Sequence, residues 1–546
     1  MNMIVSSAAF ELAKMANGGD DFLTVKSASG HELRYGMSAE RAQSVLDFTK
    51  AAMKAPSEDL AKSIESTMEK SVTLATGATY YDLRAPSLLF SPTITPIRNS
   101  LKRTKRAHPG DAAHWKSING LFNSPNLMAW VPEGRRAASI TYSMSNASQS
   151  YASMGTEDDL TDEAKFAADG FEDEEALVQM RSLYKLMQVE EVSILHGNAS
   201  VALGTPTAAT LAAATVANAT LPSATYSVIV VALTHIGLLQ ASLANGVVTQ
   251  VSVTSNDGQG AYTINGGCSN KSASATQAIT LGQALSATVP YINGAAGYAW
   301  YVGTAGNETL QAITTINSAV FQAPLTGSRQ AATAITADFS TESKAFDGLL
   351  TQAFKNNGVA YINTLSAGTA GVGTQLTAVG NGEVLEIRNM LRAMWDQYRV
   401  GVTKIYVSAQ ELTSLTKLVL TAGSSPLLRV NTNTTDGEPA PVKVTAGSVV
   451  GWYFNPYTAD GGRFIPIIIH PNMAPGTIFG YAEVLPATYM SNETPTVAEM
   501  LIRQDYYVEK WPRTSRRQFY GTYCQEAPAV YAPFCLGVIN NIAPTI

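Results

Sequence analysis

The stretch AWVPEGRRAASITY, residues 129–142, decides how this chain is read. It joins Trp130-Val131-Pro132-Glu133-Gly134, which ends in a Glu-Gly break, to a β-branched and aromatic segment, Ile140-Thr141-Tyr142. It lies inside a long region, Arg84 to about Thr161, where short strand-like runs alternate with Pro, Gly, Ser and Asn, as at Ser91-Pro92, His108-Pro109-Gly110 and Glu133-Gly134. This region reads as one long, loosely packed excursion. Ordering a backbone costs roughly 1 to 2 kcal/mol per residue, so a polar loop with little core of its own needs something else to hold it. Immediately after it, Phe171 to Leu195 reads as the clearest helix. Leu177, Met180, Tyr184 and Met187 recur at steps of three and four, which places one apolar stripe along it. Acidic residues at 172–175 suit the positive end of the helix dipole, and Gly197 offers a left-handed stop.

Upstream, residues 1 to about 75 are rich in Ala, Lys, Glu and Met, with surface helices expected over Ala39–Lys54 and Glu58–Lys70 in an extended N-terminal arm. Downstream, only Asp257, Lys271, Glu308 and Arg329 are charged between 205 and 330, in a chain with 37 Lys and Arg and 43 Asp and Glu. That shift marks an inserted domain. Its β-branched and aromatic runs at 226–234, 247–255, 298–304 and 310–316 predict a β-sandwich. The stretch GAAGYAWYVGTAGNETLQAITTINSAVF, 294–321, resembles a fibronectin type III or immunoglobulin-like domain.

Beyond the insertion, Val384, Ile387, Met390, Leu391, Met394 and Trp395 predict an amphipathic helix over Glu383–Tyr398, and a strand over Lys404–Val407 follows. Ser408 and Glu411 form a capping-box pattern for a helix over Ala409–Leu420. Strands near 447–454, 464–470 and 477–484 and extended segments in the last stretch complete a mixed core, so the fold class is α+β.

Composition narrows function. At 546 residues the chain needs about three or four domain-sized units. Charged residues are only 15%, so a large neutral surface is expected to be covered by neighbouring subunits. A net charge of −6 argues against chain-wide affinity for nucleic acid. Cys268, Cys524 and Cys535 have no metal-type spacing and read as buried small hydrophobes in a reducing compartment. The N-terminus lacks a basic start with an apolar core, so neither secretion, a membrane span nor a removed leader or scaffolding piece is expected.

Chemical motifs are scarce. Gly-Lys never occurs, which excludes a Walker loop, and HExxH and GxSxG are missing. Ser414 and Lys417 match SxxK without companions, the histidines are scattered with only His108 and His114 close, and the Gly368, Gly371, Gly373 cluster reads as a flexible loop. No enzyme activity, cofactor or metal is expected. The basic run Lys102, Arg103, Lys105 and Arg106, with Trp115 and Lys116 beyond it, could grip nucleic acid; a solvated loop or an acidic neighbour is the simpler reading. The acidic run Glu157, Asp158, Asp159, with Asp162 and Glu163, is the matching surface for it on an adjacent subunit.

Read in order, the segments resemble the tailed-bacteriophage major capsid protein family with the Hong Kong 97-type capsid fold, also found in herpesvirus shells. The resemblance rests first on Ala129-Trp130-Val131-Pro132-Glu133-Gly134 and the following strand, then on the helix ending at Leu195-His196-Gly197 with Gly204-Thr205-Pro206 after it, and on Arg516 to Gly521 with Ala532 and Pro533. It covers the chain apart from the insertion. It implies an N-terminal arm at 1–83, an extended loop and the start of a peripheral domain at 84–165, a spine helix at 166–204, the inserted sandwich at 205–335, and an axial domain with return strands of the peripheral domain at 336–546. The extended loop itself would run from about Arg103 to Ser143 and lie across a neighbouring copy. The implied role is a structural subunit forming hexamers and pentamers of an icosahedral head, assembled in the host bacterial cytoplasm and residing in the virion. Portal, scaffold and decoration proteins are implied partners, and double-stranded DNA is enclosed without sequence-specific binding. Candidate intersubunit contacts are Lys102, Arg103, Lys105, Arg106, Trp130, Glu133, Glu157, Asp158 and Asp159. Some relatives crosslink a loop Lys to an Asn; Lys102, Lys105 and Lys116 are candidates, with no catalytic acid or Asn assignable. The other readings are a tail-associated or surface structural protein with an Ig-like domain, and a hydrolase carrying a carbohydrate-binding sandwich.

Overall fold

The computed structural model describes residues 23–26, 32–35, 79–82, 95–106, 110–120, 130–136, 143–167, 173–256, 258–380, 383–421, 451–459, 461–485, 496–513 and 515–544. The helices expected at Ala39–Lys54 and Glu58–Lys70, and His108, lie outside these residues. Helices and sheets of both parallel and antiparallel strands make the chain α+β. It divides into two compact units that do not follow chain order, one gathering residues up to 113 with 148–195 and 499–529, the other holding 114–147, 196–498 and 530–546.

The first unit is a helix on a sheet. Strand Ala498–Lys510 carries Lys102–Lys105 in parallel and Thr79–Asp82 antiparallel along its length. On its other side stands Arg517–Val530, which pairs antiparallel with Ala152–Thr161 from Arg517↔Thr161 to Glu526↔Ala152. The long helix runs from Glu174 to His196 with Glu174 and Glu175 in its first turn, close to expectation. Its buried face differs from the stripe read from the sequence. Val178, Leu183, Leu186 and Met187 pack on Leu160, Tyr506, Val508, Tyr520 and Cys524, whereas Leu177, Met180 and Tyr184 are half-buried. Counting apolar letters alone misplaced the face, because Glu190 and Glu191 are completely buried on it. Nor does Gly197 take a left-handed conformation. Its carbonyl instead accepts from the Thr351 hydroxyl at 2.6 Å and the Gly348 N–H at 2.8 Å, so partners elsewhere in the chain hold the residue that follows the helix.

The second unit contains a six-stranded mixed sheet ordered Tyr361–Thr364, Leu536–Asn540, Ile478–Tyr481, Lys404–Val407, Arg463–Ile469, Trp452–Asn455. Helix Leu385–Tyr398 buries Ile387, Met390, Leu391 and Met394 and ends at Arg399 with φ 57°. Gly480 and Gly537 face each other on adjacent strands, and a Cβ on either would come within 2.7 Å of Met390, so these glycines let the helix approach the sheet. The Ser408 hydroxyl accepts from the Glu411 N–H at 3.2 Å and caps helix Ala409–Thr421. The Glu411 carboxylate does not close the box; it accepts from the Gly476 N–H at 3.0 Å.

Between 205 and 335 two sheets share one core. Four strands are ordered Ala275–Ile279, Ala224–Leu233, Gly297–Gly303, Thr309–Thr314, and three are ordered Ser318–Phe321, Gln283–Thr288, Thr210–Thr215. Val228, Val230, Tyr298, Trp300 and Val302 from the first meet Leu285, Ala287, Ala319 and Phe321 from the second. The opposite face of the four-stranded sheet is also covered: Val231, Leu233, Ala299, Tyr301 and Leu310 pack on Val247, Cys268, Ala332 and Ile335. This double burial explains why 226–234 reads as an unbroken apolar run rather than an alternating one. The glycines at 368, 371 and 373 take positive φ and are packed, with the Gly371 N–H donating to Ser318 and Gly373 lying against Ile316 and Ala543, so the segment is a docked turn and not the flexible loop expected.

Candidate functional site

The excursion at 84–161 is more structured than its composition suggests. Strands Ala112–Gly120 and Ser143–Ser150 pair, and between them lies a turn at residues 130–136. The Arg135 N–H donates to the Pro132 carbonyl at 3.1 Å, and the third residue of that turn, Gly134, has φ 75°, a value that favours glycine. Every residue from Trp130 to Arg136 is exposed, Trp130 at 91% and Val131 at 42%. An indole so fully open to water is no part of this chain's core.

The basic run is divided by its position on a strand. Lys105 and Arg106 are exposed, and Lys102 reaches Glu499 at 3.4 Å. Arg103, among the candidate contacts, is largely buried and held within this chain. Its guanidinium bonds Glu190 through Nη1, lies 2.8 Å from Glu526 Oε2 and reaches Asp505 at 3.4 Å. Arg98 joins the same cluster, donating to Glu190 at 2.9 Å and to the Tyr506 hydroxyl at 2.8 Å, and that hydroxyl in turn bonds Glu190. Glu191 accepts the N–H groups of Ile97 and Arg98 at 3.0 and 2.7 Å, holding the start of the short helix Pro96–Ser100 against the long one. The start of the excursion is therefore fastened by two arginines and three glutamates, Glu190, Glu191 and Glu526, within one unit.

Charge is unevenly shared there. Burial acts to raise the pKa of Glu190, but Arg103 and Arg98 outweigh it and hold the carboxyl below its usual range. For Glu526, burial and then the nearby Glu190 win, and its carboxyl is pushed well above that range. One carboxylate and one neutral acid thus sit side by side, as expected when two acids share a dry site.

The remaining sequence candidates scatter. Glu133 is exposed in the turn. In the acidic run, Glu157 bonds the Tyr523 hydroxyl and Asp159 pairs with Arg517 at 3.1 Å, while Asp158 accepts from the Asp159 N–H at 2.9 Å. Within this chain the run thus has local partners on the neighbouring strand. Trp115, weighed as a stacking aromatic, is buried and donates to the Val530 carbonyl at 2.8 Å. His114 is exposed; Ser414 is buried while Lys417 is exposed, so SxxK shares no common environment. Cys268, Cys524 and Cys535 are buried, as expected.

Sequence reading missed one pairing. His196 and His235 stack with ring centroids 5.1 Å apart, beside a small cavity lined also by Asn198, Thr234, Thr351 and Phe354. Burial drives both pKa values down, His235 to about 4, and His196 Nε2 lies 2.6 Å from the Asn472 carbonyl. No local motif could reveal two histidines that only the fold brings together. Among the described residues, no group of three His, Cys, Asp or Glu is placed to hold a metal, and no helix is long and apolar enough to cross a membrane.

No protein-family model matches the sequence, and no curated protein matches it. Several solved structures are similar to it. The capsid of a native GTA particle is 8% identical, with a TM-score of 0.35 over 83% of this chain and 92% of that one. The capsid asymmetric unit of cyanophage A-1(L) is 10% identical, with a TM-score of 0.34 over 82% of this chain and 93% of that one. A structure of Mycobacterium phage Adephagia is 8% identical, with a TM-score of 0.31 over 85% and 94%. Identities and TM-scores this low leave the chain's own residues to decide its function.

Proposed function

We propose that this chain is a major capsid protein, a structural subunit with the Hong Kong 97-type fold that self-assembles as hexamers and pentamers into an icosahedral phage head. The observation that carries the reading is the turn at 130–136, where Trp130 and Val131 stand open to solvent between two paired strands. A Trp anchored in a neighbour's surface is the kind of residue that dominates an interface. The exposed Lys105, Arg106 and Glu133 would be further charged contacts. In this reading the sheets at 205–335 form the inserted immunoglobulin or fibronectin-like sandwich, and the chemistry is assembly, not catalysis. Portal protein, and scaffold or decoration proteins, would be further partners. The enclosed double-stranded DNA would be contained without sequence-specific grip, in keeping with the net charge of −6. Assembly would take place in the host bacterial cytoplasm, and the finished subunit would reside in the virion.

Electron microscopy and sedimentation of the purified full chain test the reading. Closed shells or capsomer rings are expected, and fibres or stable monomers reject it. Trp130→Ala should leave the subunit folded but raise the concentration needed for assembly by at least about tenfold, since an interface Trp commonly contributes 2 kcal/mol or more. Unchanged assembly would remove the turn from the contact.

A further inference from the structure

His235 opens the short helix His235–Gln240 that follows strand Ala224–Leu233, and the fold stacks it on His196 with an interplanar angle of 13° and buries both rings. The Asn472 carbonyl can only accept, so His196 Nε2 carries the proton and the bare lone pair of the neutral ring lies on Nδ1. Neither that Nδ1 nor His235 Nε2, both buried, has a hydrogen-bond partner among the described residues. The polar groups around the cavity are engaged elsewhere. The Thr351 hydroxyl donates to the Gly197 carbonyl, Asn198 Nδ2 to those of Val201 and Ser340, and the Thr234 hydroxyl to that of Gly267. The rings thus lie where three parts of one unit meet: the segment 196–201, the sheets at 205–335, and helix Leu349–Lys355, whose Phe354 ring is 5.9 Å from His235.

A second proton on either ring meets no opposing charge. The other ring stands 5.1 Å away, and His470, whose Nδ1 accepts the Asn472 N–H at 3.2 Å, is a third imidazole that opposes charge on His196. The carboxylates of the surrounding elements are committed elsewhere. Asp347 pairs with Lys355 at 3.0 Å, Glu342 accepts the Asn265 N–H at 2.8 Å, and Glu411 accepts the Gly476 N–H at 3.0 Å. None of them acts on either ring. We propose that the His196–His235 stack is an acid-sensitive latch, which holds the sheets at 205–335 to the segment 196–201 and to helix Leu349–Lys355 while both rings are neutral and releases them when the rings take up protons. Burial lowers both pKa values, His235 to about 4, whereas a free histidine titrates near ~6.5. A group held below its free value contributes stability above that value and loses it as pH falls towards the lowered one, so the latch weakens below about pH 6.5. Glu411, raised to about 7 by burial, has the opposite sign, and a loss on acidification cannot come from it. The inference does not rest on the shell reading.

Amide hydrogen exchange of the full chain, read by mass spectrometry at about pH 7.5 and about pH 5 and corrected for the intrinsic rate, tests it. Peptides covering 196–203, 234–241 and 349–355 should open at least about tenfold more often at the lower pH, while strand Gln283–Thr288 in the shared core keeps its protection. In the double variant His196→Gln, His235→Gln the change between the two pH values should fall below about twofold, and a loss of protection common to both leaves that ratio unaffected. Equal protection at both pH values, an undiminished change in the double variant, or opening that spreads to Gln283–Thr288 would overturn the latch. Hydrogen exchange at imidazole C2, which follows the protonation of each ring, supplies a second measurement on the unsubstituted chain. Midpoints for His196 and His235 at least about one pH unit below the ordinary ~6.5 support the latch, and a midpoint closer to it for either ring overturns it.

Discussion

The long-helix unit and the two sheets at 205–335 fill their interiors by opposite means. Around Glu190 the core holds two guanidiniums, at least two carboxyl groups and a phenol, tied by directional bonds. Around Trp300 it holds aromatic and aliphatic side chains, with polar atoms such as the indole Nε1 satisfied singly, here by Thr314 at 2.8 Å. The apolar core is stabilised by area removed from water and is tolerant of direction. Buried charges add less net stability than their number suggests, because each must first be desolvated, but they fix which segments meet. Arg98 and Arg103 can satisfy Glu190 only if the segment 96–105 lies where it does. The difference teaches that the first unit uses charge to position its own segment 96–105, and the sheets at 205–335 use apolar volume to fill their core.

The largest expected effect breaks the charged side of this contrast. Glu190→Ala leaves Arg98 and Arg103 buried without their shared acceptor, and removing one member of such a group typically costs about 3–5 kcal/mol. Urea denaturation, with hydrogen exchange following strand Ala498–Lys510, should register that loss. A cost below about 1 kcal/mol, the scale of a surface pair, would mean that the cluster is far wetter than its burial indicates. On the other side, Leu285→Ala in the shared core of the two sheets should cost about 3 kcal/mol through lost burial and the cavity it leaves, with no dependence on pH near neutrality. A pH-dependent cost there would erase the distinction between the regions.

Elements with strong local signals were legible in sequence. The helix Glu174–His196, the strand Lys404–Val407, the Ser408 cap and the strands at 224–233 and 297–303 all follow from periodicity, capping chemistry or β-branched runs. What sequence could not reveal were decisions made by distant partners. Glu190-Glu191 reads as a solvated helix surface until Arg98 and Arg103 arrive from far upstream. Arg103 sits among four other basic or polar residues that look alike, and only its contacts with the buried Glu190 and Glu526 set it apart from the exposed Lys102 and Lys105. Trp115 looked available for stacking until its Nε1 found the Val530 carbonyl. The break at Glu133-Gly134 was legible, because Gly134 marks it locally, whereas the exposure of Trp130 was not.

Protonation gives the subtlest way to sharpen the comparison. Glu526 is neutral in the folded unit because its carboxyl is pushed upward, first by burial and then by Glu190, whereas the unfolded chain ionises it at the ordinary carboxylate pKa. The folded state therefore binds one proton more through that interval. Its contribution is fully present below the ordinary carboxylate range and is lost as pH rises through the raised value. Glu190 has the opposite sign: held low by the arginines against the effect of burial, it contributes above the ordinary range and loses that contribution as pH falls towards its lowered value. Glu526→Gln keeps the shape and the neutral form but has no proton to lose. Hydrogen exchange in strands 498–510 and 517–530 should become easier in the native protein as pH is raised from about 5 to about 8, after correction for the intrinsic exchange rate, and the Gln variant should flatten that trend while leaving the acid-side loss from Glu190 intact. Local exchange is the right readout, because Glu411, raised to about 7 by burial in the other unit, would contribute a loss of the same sign to any global measurement. An identical slope in the Gln variant would mean that Glu526 already carries its charge, and that Arg103 binds two carboxylates at once.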